Sequence, residues 1–448
     1  MRFWIKTLGC KVNQVESSYV LERLKKAGLD PANSEEEAEL FILNSCAVTE
    51  RACLEAKKIL RHWKKLNPKG VIFTGCSAQV QAEEFRKIAE ALGLTPFIIL
   101  GQKEKYEPER YLEDLSEKNH TPLIKVDSSL ETCYPLLLEE FHGHSRAFVK
   151  IQDGCSSFCS YCIVPYSRGP SRSLSEEHIL TQIRRFLEQG YQEIVLTGIH
   201  LGMWGEDLHP KRKLPELLFK IEDLFKSHQR PLNLRLSSLE VNEIDEDFLV
   251  FARESQFLCP HFHIPLQSGS NLILQRMNRK YRAEAYLERV KTLYELFPSA
   301  TLGADVLVGF PGEGEKEFLA TYELIEKSPL NWLHIFPFSE RPGTPAEALT
   351  PKVPPEEKKR RVEALKKLSH QKRKAFLERN LGTLRKAIFE EEKEAFVRAL
   401  TDNYLQVILR RDRVSGLAKG SLIKVKLLRL RGDLLEAEPF EDKEIVKT

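Results

Sequence analysis

The chain lacks any apolar run long enough to cross a membrane. Its longest apolar stretches, such as residues 96–100, are only a few residues long, whereas a membrane-spanning helix needs about 20 apolar residues. The N-terminus, MRFWIKTLGC, has no extended apolar segment of the kind found in secretory signals. These absences predict a cytoplasmic protein without membrane contact.

The chain also lacks a large excess of either charge. Its 448 residues include 68 Lys and Arg against 65 Asp and Glu, which gives a net charge of +3. Composition therefore does not force a surface that attracts polyanions, and any nucleic-acid contact must use local basic patches. Hydrophobic residues make up 42% and charged residues 30%, which is typical of folded globular proteins. The length predicts about two to four domains.

A paired set of cysteines is missing as well. The chain has nine cysteines, an odd number. Disulfide frameworks belong to small secreted chains rather than to a long chain in a reducing compartment. Clustered cysteines in a chain of this kind indicate metal binding.

The first hundred residues repeat one pattern three times. An apolar, strand-like run ends in a turn with a cysteine, and a helix-like segment follows; the cysteines are Cys10, Cys46 and Cys76. Alternating strands and helices predict a parallel sheet with helices on its faces. Because ligands of such sheets gather at the carboxyl ends of the strands, we expect these cysteines to lie together. The positive end of each following helix favours thiolates and an anionic cluster.

The rest of the chain predicts two further domains. A polar connector with one β-segment, PLIKV, precedes six strand-like segments that alternate with helix-like ones and end in a basic helix at 356–379. Six such units predict a full or partial TIM-like barrel. After Gly382, about five short alternating segments predict a small β-barrel of the OB-like size class. The fold class is therefore α/β, with an N-terminal α/β domain at 1–112, a connector at 113–140, a partial (βα)6 barrel at 141–371 and a β-barrel at 373–441.

The strongest local signal is DGCSSFCSYC, which spaces Cys155, Cys159 and Cys162 as C-x3-C-x2-C. Thiolates on one loop can hold three irons of a [4Fe–4S] cluster and leave the fourth iron open to a cofactor or substrate. Zinc and buried apolar cysteines are the alternatives. Structural zinc sites require four ligands, and the nearest histidines, His178 and His200, are not at a zinc-finger spacing.

The N-terminal cysteines form a second incomplete set of three. A single one could be a buried cysteine, but three at equivalent strand–turn–helix positions indicate a second cluster. Cys53, Cys133 and Cys259 have no partner pattern, and we interpret them as structural.

The C-x3-C-x2-C motif, with Tyr161 before the last cysteine, resembles the signature of radical S-adenosylmethionine (SAM) enzymes. The resemblance implies a [4Fe–4S] cluster on Cys155, Cys159 and Cys162 whose open iron chelates SAM, with Tyr161 packed near the adenine. Two such triads followed by a β-barrel resemble the methylthiotransferases over nearly the whole chain. The block TLGCKVNQVESS is similar to the bacterial branch, the MtaB type, that acts on N6-threonylcarbamoyladenosine at tRNA position 37.

The same resemblance implies functional residues in other blocks. Gly198, Ser237, Glu240 and Gln267 are expected near SAM or substrate, because they occur in LTGIHLG, LRLSSLE and HIPLQSGS. Arg341 and Asn13 are expected on the substrate side. The C-terminal barrel resembles the RNA-binding TRAM domain, with basic residues Arg410, Lys424 and Lys426 and the aromatic residues Phe389, Phe396 and Tyr404; basic groups bind phosphates and aromatic rings stack on bases.

The implied reaction uses two [4Fe–4S] clusters and SAM, as both radical source and methyl donor. Its partners are a tRNA anticodon loop, a sulfur source and a reducing electron donor such as flavodoxin or ferredoxin. Three alternatives stay open. The substrate is isopentenyladenosine in tRNA, it is a ribosomal-protein residue, or the protein is a non-catalytic iron–sulfur module for RNA binding or electron transfer.

Overall fold

A computed structural model describes residues 1–115, 121–141, 143–414 and 416–440. Three units follow one another: an N-terminal α/β domain, a central partial barrel and a C-terminal closed β-barrel. This confirms the predicted fold class. Over the described ranges, no helix is both long and apolar enough to cross a bilayer.

The N-terminal domain contains a parallel sheet. Its strands are β1 (Arg2–Thr7), β2 (Asp30–Pro31), β3 (Leu40–Ser45), β4 (Gly70–Gly75), β5 (Phe97–Leu100) and β6 (Leu123–Lys125). Their spatial order is β2-β1-β3-β4-β5-β6. Strand β6 is the predicted PLIKV segment, which joins the edge of this sheet through β5. Strands β3, β4 and β5 are buried throughout, as expected for parallel strands covered on both faces.

The helices of this domain are α1 (Lys11–Lys26), α2 (Glu50–Lys64), α3 (Cys76–Val80) and α4 (Ala82–Leu92). In α2, the Thr49 hydroxyl caps the helix by accepting a hydrogen bond from the Ala52 amide. Its buried residues recur every three or four positions: Cys53, Ala56, Leu60 and Trp63. The third predicted helix divides into α3 and α4 at Gln81, which leaves the helical conformation.

The central unit contains six parallel strands, which are the six predicted ones: β7 (Ala147–Lys150), β10 (Glu193–Thr197), β11 (Asn233–Leu236), β12 (His261–His263), β13 (Thr301–Val308) and β14 (Trp332–Pro337). Two short strands, β8 (Gln152–Asp153) and β9 (Arg172–Ser173), form an antiparallel pair. They lie in the chain between β7 and β10. The six pair as β11-β10-β7 and β12-β13-β14. An isolated bridge between Leu234 and Leu258 links the two halves, whereas among the described residues no pairing joins β7 to β14, so the barrel is partial.

Helices alternate with these strands along the chain. They are α5 (Val164–Arg168), α6 (Glu176–Glu188), α7 (Leu214–Lys226), α8 (Glu246–Glu254), α9 (Asn271–Arg276), α10 (Ala283–Leu296), α11 (Glu315–Lys327) and α12 (Pro355–Arg379). The basic helix α12 buries Val362, Leu365 and Leu368, which is the apolar face that their spacing predicts.

Five strands close the C-terminal barrel: β15 (Leu384–Glu392), β16 (Phe396–Thr401), β17 (Gln406–Arg410), β18 (Leu422–Arg431) and β19 (Leu434–Pro439). Their order around the barrel is β15-β16-β17-β19-β18. Phe389 belongs to the core of this barrel, so its ring is not available to an RNA base.

The turn between β16 and β17 docks on the central unit. The Arg235 guanidinium donates to the carbonyl oxygens of Thr401 and Asp402, at 3.1 and 3.0 Å. The Tyr404 ring stacks on His261, with 4.1 Å between ring centroids. Because His261 begins β12, Tyr404 covers the amino-terminal end of the partial barrel rather than an RNA-facing surface.

Candidate active site between two cysteine triads

The N-terminal triad consists of Cys10, Cys46 and Cys76, which follow the neighbouring strands β1, β3 and β4. Cys46 and Cys76 are buried, whereas Cys10 is exposed. Burial raises the pKa of the Cys46 thiol to about 12, and the nearby Cys76 and Cys10 add to the effect. The parallel sheet thus brings together three thiols that are far apart in sequence.

The glycines that precede Cys10 and Cys76 allow the cysteines of the N-terminal triad to lie close together. Gly9 and Gly75 have φ angles of +97° and +94°, which L-residues with a side chain rarely adopt. A Cβ added at Gly9 would lie 2.8 Å from the Cβ of Cys46 and 3.0 Å from its Sγ. The Gly9-Cys10 turn is therefore packed directly against the second cysteine of the triad.

Gly9→Ala is expected to remove the iron held by the N-terminal triad. The new methyl group would displace Cys46, so anaerobically reconstituted protein should lose about four of about eight irons per chain. Gly28→Ala is the matched control, because Gly28 also has a positive φ (+84°) but a Cβ there meets nothing within 4 Å. Equal iron contents in the two variants would contradict the steric argument.

The second triad lies on the loop between β8 and α5. The Cys155 Sγ is 3.4 Å from His200 Nδ1, and Arg279 Nη1 donates to the Cys159 Sγ at 3.5 Å. Burial opposes ionisation of the Cys155 thiol, but the hydrogen bond and charge of His200 together with the hydrogen bonds of Ser157 outweigh it and lower the pKa below its ordinary value. Burial raises the pKa of the Cys162 thiol to about 12.

The two triads face each other across the interface between the N-terminal domain and the partial barrel. Ile163, next to Cys162, packs against Cys76 and against Ala47, which is next to Cys46. Arg168, at the end of α5, donates from Nε to the Cys76 Sγ at 3.3 Å. The interface therefore carries six thiols in two sets of three, one on each side.

The aromatic residue of the cysteine motif lies beside the second triad. The Tyr161 ring packs edge-on against Phe310, with 6.4 Å between centroids, and belongs to an apolar cluster with Met277 and Phe338. Phe310 lies in the loop that follows β13. An apolar wall of this kind excludes water from one side of the triad.

Polar residues predicted around the cofactor lie at the carboxyl ends of the barrel strands. The Glu240 carboxylate accepts a hydrogen bond from Arg279, the same guanidinium that contacts Cys159. The Ser237 hydroxyl oxygen is buried without a hydrogen-bond partner among the described residues, which fits a polar ligand. Gln267 has a left-handed backbone (φ +60°), a strained conformation that is common at functional sites. A Cβ at Gly198 would lie 3.0 Å from Gln152 Oε1, so this glycine permits close packing.

The two residues predicted on the substrate side differ in their surroundings. Arg341 is buried, donates to Ser339 Oγ at 3.1 Å, and has no carboxylate partner within the described ranges. Asn13 is also buried, but its amide donates to the carbonyls of Leu8 and Ser45 and its Oδ1 accepts from Arg168. Asn13 thus stabilises the N-terminal triad through these hydrogen bonds. Its contact with the substrate stays a prediction.

Two further polar features are Lys11, next to the N-terminal triad, and a histidine–aspartate set on strands β12, β13 and β14 of the barrel. Lys11 follows Cys10, is half-buried, and makes no hydrogen bond or ion pair within the described part of the chain. Burial lowers the pKa of its ammonium, and the charges of Arg146 and Arg235 contribute. His263 and His334 both contact Asp305, at 3.0 and 3.3 Å. Their ligand atoms are close enough to hold a metal ion, but the three groups satisfy one another without one.

The predicted RNA contacts lie away from the triads, on the C-terminal barrel. Arg410 is exposed and pairs with Asp412, with Nε 3.0 Å from Oδ1. Lys424 and Lys426 are exposed on β18. Arg410 borders a groove of about 890 Å³ that also contains Arg411, Arg413, Arg429 and Arg431.

Side chains that contact the triad sulfurs but were missed by sequence reasoning include Gln102, Arg168, His200 and Arg279. His200 lies in the LTGIHLG block and was considered only as a zinc ligand. Arg168 and Arg279 are 92 and 120 residues from the sulfur atoms that they contact, and no local pattern marks them.

Comparison with known proteins agrees with this architecture. The radical SAM superfamily model matches residues 149–325, and the model of uncharacterized protein family UPF0004 matches residues 2–95. The threonylcarbamoyladenosine tRNA methylthiotransferase MtaB of Aquifex aeolicus is 35% identical over 410 residues, which cover 91% of this chain and 96% of that protein. MtaB of Bacillus subtilis is 34% identical, covering 94% and 93%.

This chain belongs to the radical SAM methylthiotransferase family. SAM and [4Fe–4S] clusters are therefore its cofactors. A second branch of the family is similar as well: the tRNA-2-methylthio-N(6)-dimethylallyladenosine synthase of Clostridium botulinum is 32% identical, covering 96% of each chain. The sequence identities of this chain to members of the two branches differ by only a few per cent, so identity alone does not decide between the branches.

Among solved structures, this chain resembles radical SAM proteins in fold. The radical SAM methyltransferase TsrM of Kitasatospora setae, with tryptophan and the SAM analog aza-SAM bound, gives a TM-score of 0.55 at 13% identity, covering 77% of this chain and 75% of that chain. At this identity the likeness concerns the fold alone.

Proposed function

We propose that this protein converts N6-threonylcarbamoyladenosine at tRNA position 37 to its 2-methylthio derivative. The observation that carries the proposal is the pair of three-cysteine sets that face each other across one interface. Each set lacks a fourth cysteine, so each cluster would keep one open iron. A fully ligated cluster would suffice for simple electron transfer, which is why the open positions favour chemistry at both sites.

The two triads would hold different clusters. Cys155, Cys159 and Cys162 would hold the cluster whose open iron chelates SAM, and Cys10, Cys46 and Cys76 would hold the cluster that carries sulfur. When bound, these groups supply one-electron cleavage of SAM, activation of the C2–H bond of adenine, and the sulfur and methyl groups of the product. The cofactors would carry out these bond-breaking and bond-forming steps, and the protein would contribute binding, orientation and exclusion of water.

The chain's own residues would prepare the site in three ways. Tyr161 and Phe310 form an apolar surface that would exclude water from one side of the cluster that binds SAM. Arg279 links Cys159 to Glu240, which orients a carboxylate at the end of β11. The buried Ser237 hydroxyl, which has no partner among the described residues, would bond a polar group of SAM or substrate.

The substrate base must leave its stack to reach this interface, which is easiest in a single-stranded anticodon loop. Arg341, a buried cation without a carboxylate partner in the described ranges, would bind an anionic group of the substrate at the mouth of the site. Arg410, Lys424 and Lys426 on the C-terminal barrel would bind tRNA phosphates. A flavodoxin or ferredoxin would supply electrons, and a separate sulfur source would restore the sulfur that each turnover consumes.

Lys11 supports threonylcarbamoyladenosine over isopentenyladenosine as substrate. The threonylcarbamoyl group carries a carboxylate, whereas the isopentenyl group is neutral and apolar. A half-buried ammonium without a partner in the described part of the chain fits the first and would be left unpaired by the second. Its position directly after Cys10 puts it beside the cluster that would deliver sulfur.

Lys11→Met is expected to lower kcat/KM for threonylcarbamoyladenosine tRNA by about 10- to 100-fold, because a charge-assisted contact is lost. Cleavage of SAM without tRNA should be unchanged, which serves as the internal control. The measurement is product formation across a series of tRNA concentrations. An unchanged kcat/KM, with full iron content, would remove Lys11 from substrate recognition.

The proposed function is tested by mass spectrometry of nucleosides after anaerobic incubation of reconstituted protein with SAM, sulfide, reductant and tRNA. One tRNA carries threonylcarbamoyladenosine and the other isopentenyladenosine. We expect a methylthio mass gain on the first alone. A gain on the second alone would reassign the branch, whereas SAM cleavage without gain on either would favour a ribosomal-protein substrate. Failure to cleave SAM would favour a non-catalytic iron–sulfur module.

A further inference from the structure

A buried set of charged residues joins the two sides of the interface. We call it the interdomain charge cluster; it consists of Glu16, Lys105, Lys150, Asp153 and Arg168. Glu16 contacts all three cations: Lys105 Nζ at 2.6 Å, Lys150 Nζ at 3.1 Å and Arg168 Nη1 at 3.0 Å. Asp153 contacts Lys150 at 2.6 Å and Arg168 at 2.9 Å. Each of the five side chains is at most 8% exposed.

The interdomain charge cluster has more positive than negative charge. Three cations, Lys105, Lys150 and Arg168, face two carboxylates, Glu16 and Asp153, so the set has a net charge of +1. A buried charge without a counter-charge is costly. Arg172, which is 3.9 Å from Asp153, adds to the positive side. The arrangement therefore calls for a further anion in contact with the cluster.

The sulfur of Cys76, a residue of the N-terminal triad, is in direct contact with the interdomain charge cluster. Arg168 Nε donates to Cys76 Sγ at 3.3 Å, and Gln102 Nε2 donates to the same sulfur at 3.5 Å. Lys105 fixes the orientation of the Gln102 side chain, because the Gln102 Oε1 accepts a hydrogen bond from the Lys105 ammonium. As a ligand of an iron–sulfur group, the Cys76 sulfur would receive two N–H donors, and the anionic group beside it would offset the excess positive charge of the interdomain charge cluster.

We infer that Arg168 and Gln102 are positioning residues that donate hydrogen bonds to the Cys76 sulfur and set the reduction potential of the N-terminal iron–sulfur cluster. Hydrogen bonds to ligand sulfurs and nearby positive charge stabilise the more negative, reduced state and make the potential less negative. The inference rests on the proposed function, because it requires a cluster at the N-terminal triad.

Arg168 also makes the reduction potential of the N-terminal cluster depend on the docking of the two domains. It lies at the end of α5 in the barrel unit, six residues after Cys162, whereas the sulfur that it contacts belongs to the N-terminal domain. Its Nη2 donates to Asn13 Oδ1, which lies 3.9 Å from the Cys10 Sγ. The N-terminal cluster would therefore have its full set of donors only when the domains are docked.

The test measures the midpoint potential of the N-terminal cluster alone. The parent is the full chain with Cys155, Cys159 and Cys162 replaced by alanine, reconstituted anaerobically and titrated with reductant under electron paramagnetic resonance detection. Gln102→Met and Arg168→Gln are introduced into this parent. Both should shift the midpoint to more negative potential, and Arg168→Gln should shift it further because it also removes a charge. The matched control places Gln102→Met in a chain whose Cys10, Cys46 and Cys76 are alanine, where the midpoint of the other cluster should not move.

The outcomes separate this inference from the proposed function. Gln102→Met leaves all charges in place, so it reports on the hydrogen bond even if Arg168→Gln destabilises the chain. An unmoved midpoint in Gln102→Met with full iron content would overturn the inference and leave the proposed function standing. A parent chain that binds no cluster would overturn the assignment of the N-terminal triad, and the inference with it.

Discussion

Replacing Cys46 by alanine abolishes methylthio transfer while the protein continues to cleave SAM. This expected result follows from the division of the six thiols into two sets: Cys46 belongs to the N-terminal triad, and cleavage of SAM requires only the other triad. Methylthio product should fall at least about a thousandfold, because no other group in the site supplies the chemistry of the lost cofactor. The measurement compares methylthio nucleoside and 5′-deoxyadenosine in the same reaction.

Two further variants make this prediction specific. Cys159→Ala should abolish both products, because Cys159 belongs to the triad proposed to bind SAM. Cys53→Ser should retain both, since Cys53 is a buried cysteine of α2 whose Sγ donates to Gln81 Oε1 at 3.4 Å, a bond that a serine hydroxyl can replace. Methylthio product from Cys46→Ala at a wild-type rate would show that the N-terminal triad is not part of the catalytic machinery.

Replacing Glu16 by glutamine is expected to destabilise the protein by about 3–5 kcal/mol, the range found when one partner of a buried ion pair is removed. Glu16 is fully buried and contacts Lys105, Lys150 and Arg168. Burial alone would raise the pKa of its carboxyl group, but the three cations outweigh burial and hold the pKa well below its usual range. The neutral amide would leave Lys150 and Arg168 with Asp153 as their one carboxylate partner in the described network, and would leave Lys105 with none there.

The loss is measured as the shift in chemical denaturation of the full chain under anaerobic conditions. Glu37→Gln is the control, because Glu37 pairs with Arg2 at 2.9 Å on the surface, where such pairs contribute less than about 1 kcal/mol. If the two variants denature at the same denaturant concentration, the interdomain charge cluster does not hold the two domains together.

The strands and their cysteines could be predicted from the sequence for a physical reason. Buried parallel strands are continuous apolar runs, and a ligand residue at a strand end is marked by the turn that follows it. The pattern therefore predicts that Cys10, Cys46 and Cys76 lie at one edge of a sheet. The six strands of the partial barrel were predictable for the same reason. The five strands of the C-terminal barrel were predictable instead from their alternation of apolar and polar residues.

The residues that contact the cysteines from other elements could not be predicted in this way. The contact of Arg168 with Cys76 depends on how two domains dock, and periodicity within each domain carries no information about docking. The same holds for Tyr404, which the sequence suggested as an RNA-stacking ring. The structure packs it on His261 instead, because the β16–β17 turn inserts at the amino-terminal end of the partial barrel.

The most direct test of the account uses tRNA whose threonylcarbamoyladenosine carries deuterium at C2 of the adenine. The protein, SAM, sulfide and reductant are combined anaerobically, and the nucleosides and 5′-deoxyadenosine are analysed by mass spectrometry. The account predicts a methylthio nucleoside that has lost its deuterium, and 5′-deoxyadenosine that has gained it. A methylthio nucleoside that retains the deuterium, or no product on this tRNA, would contradict the account.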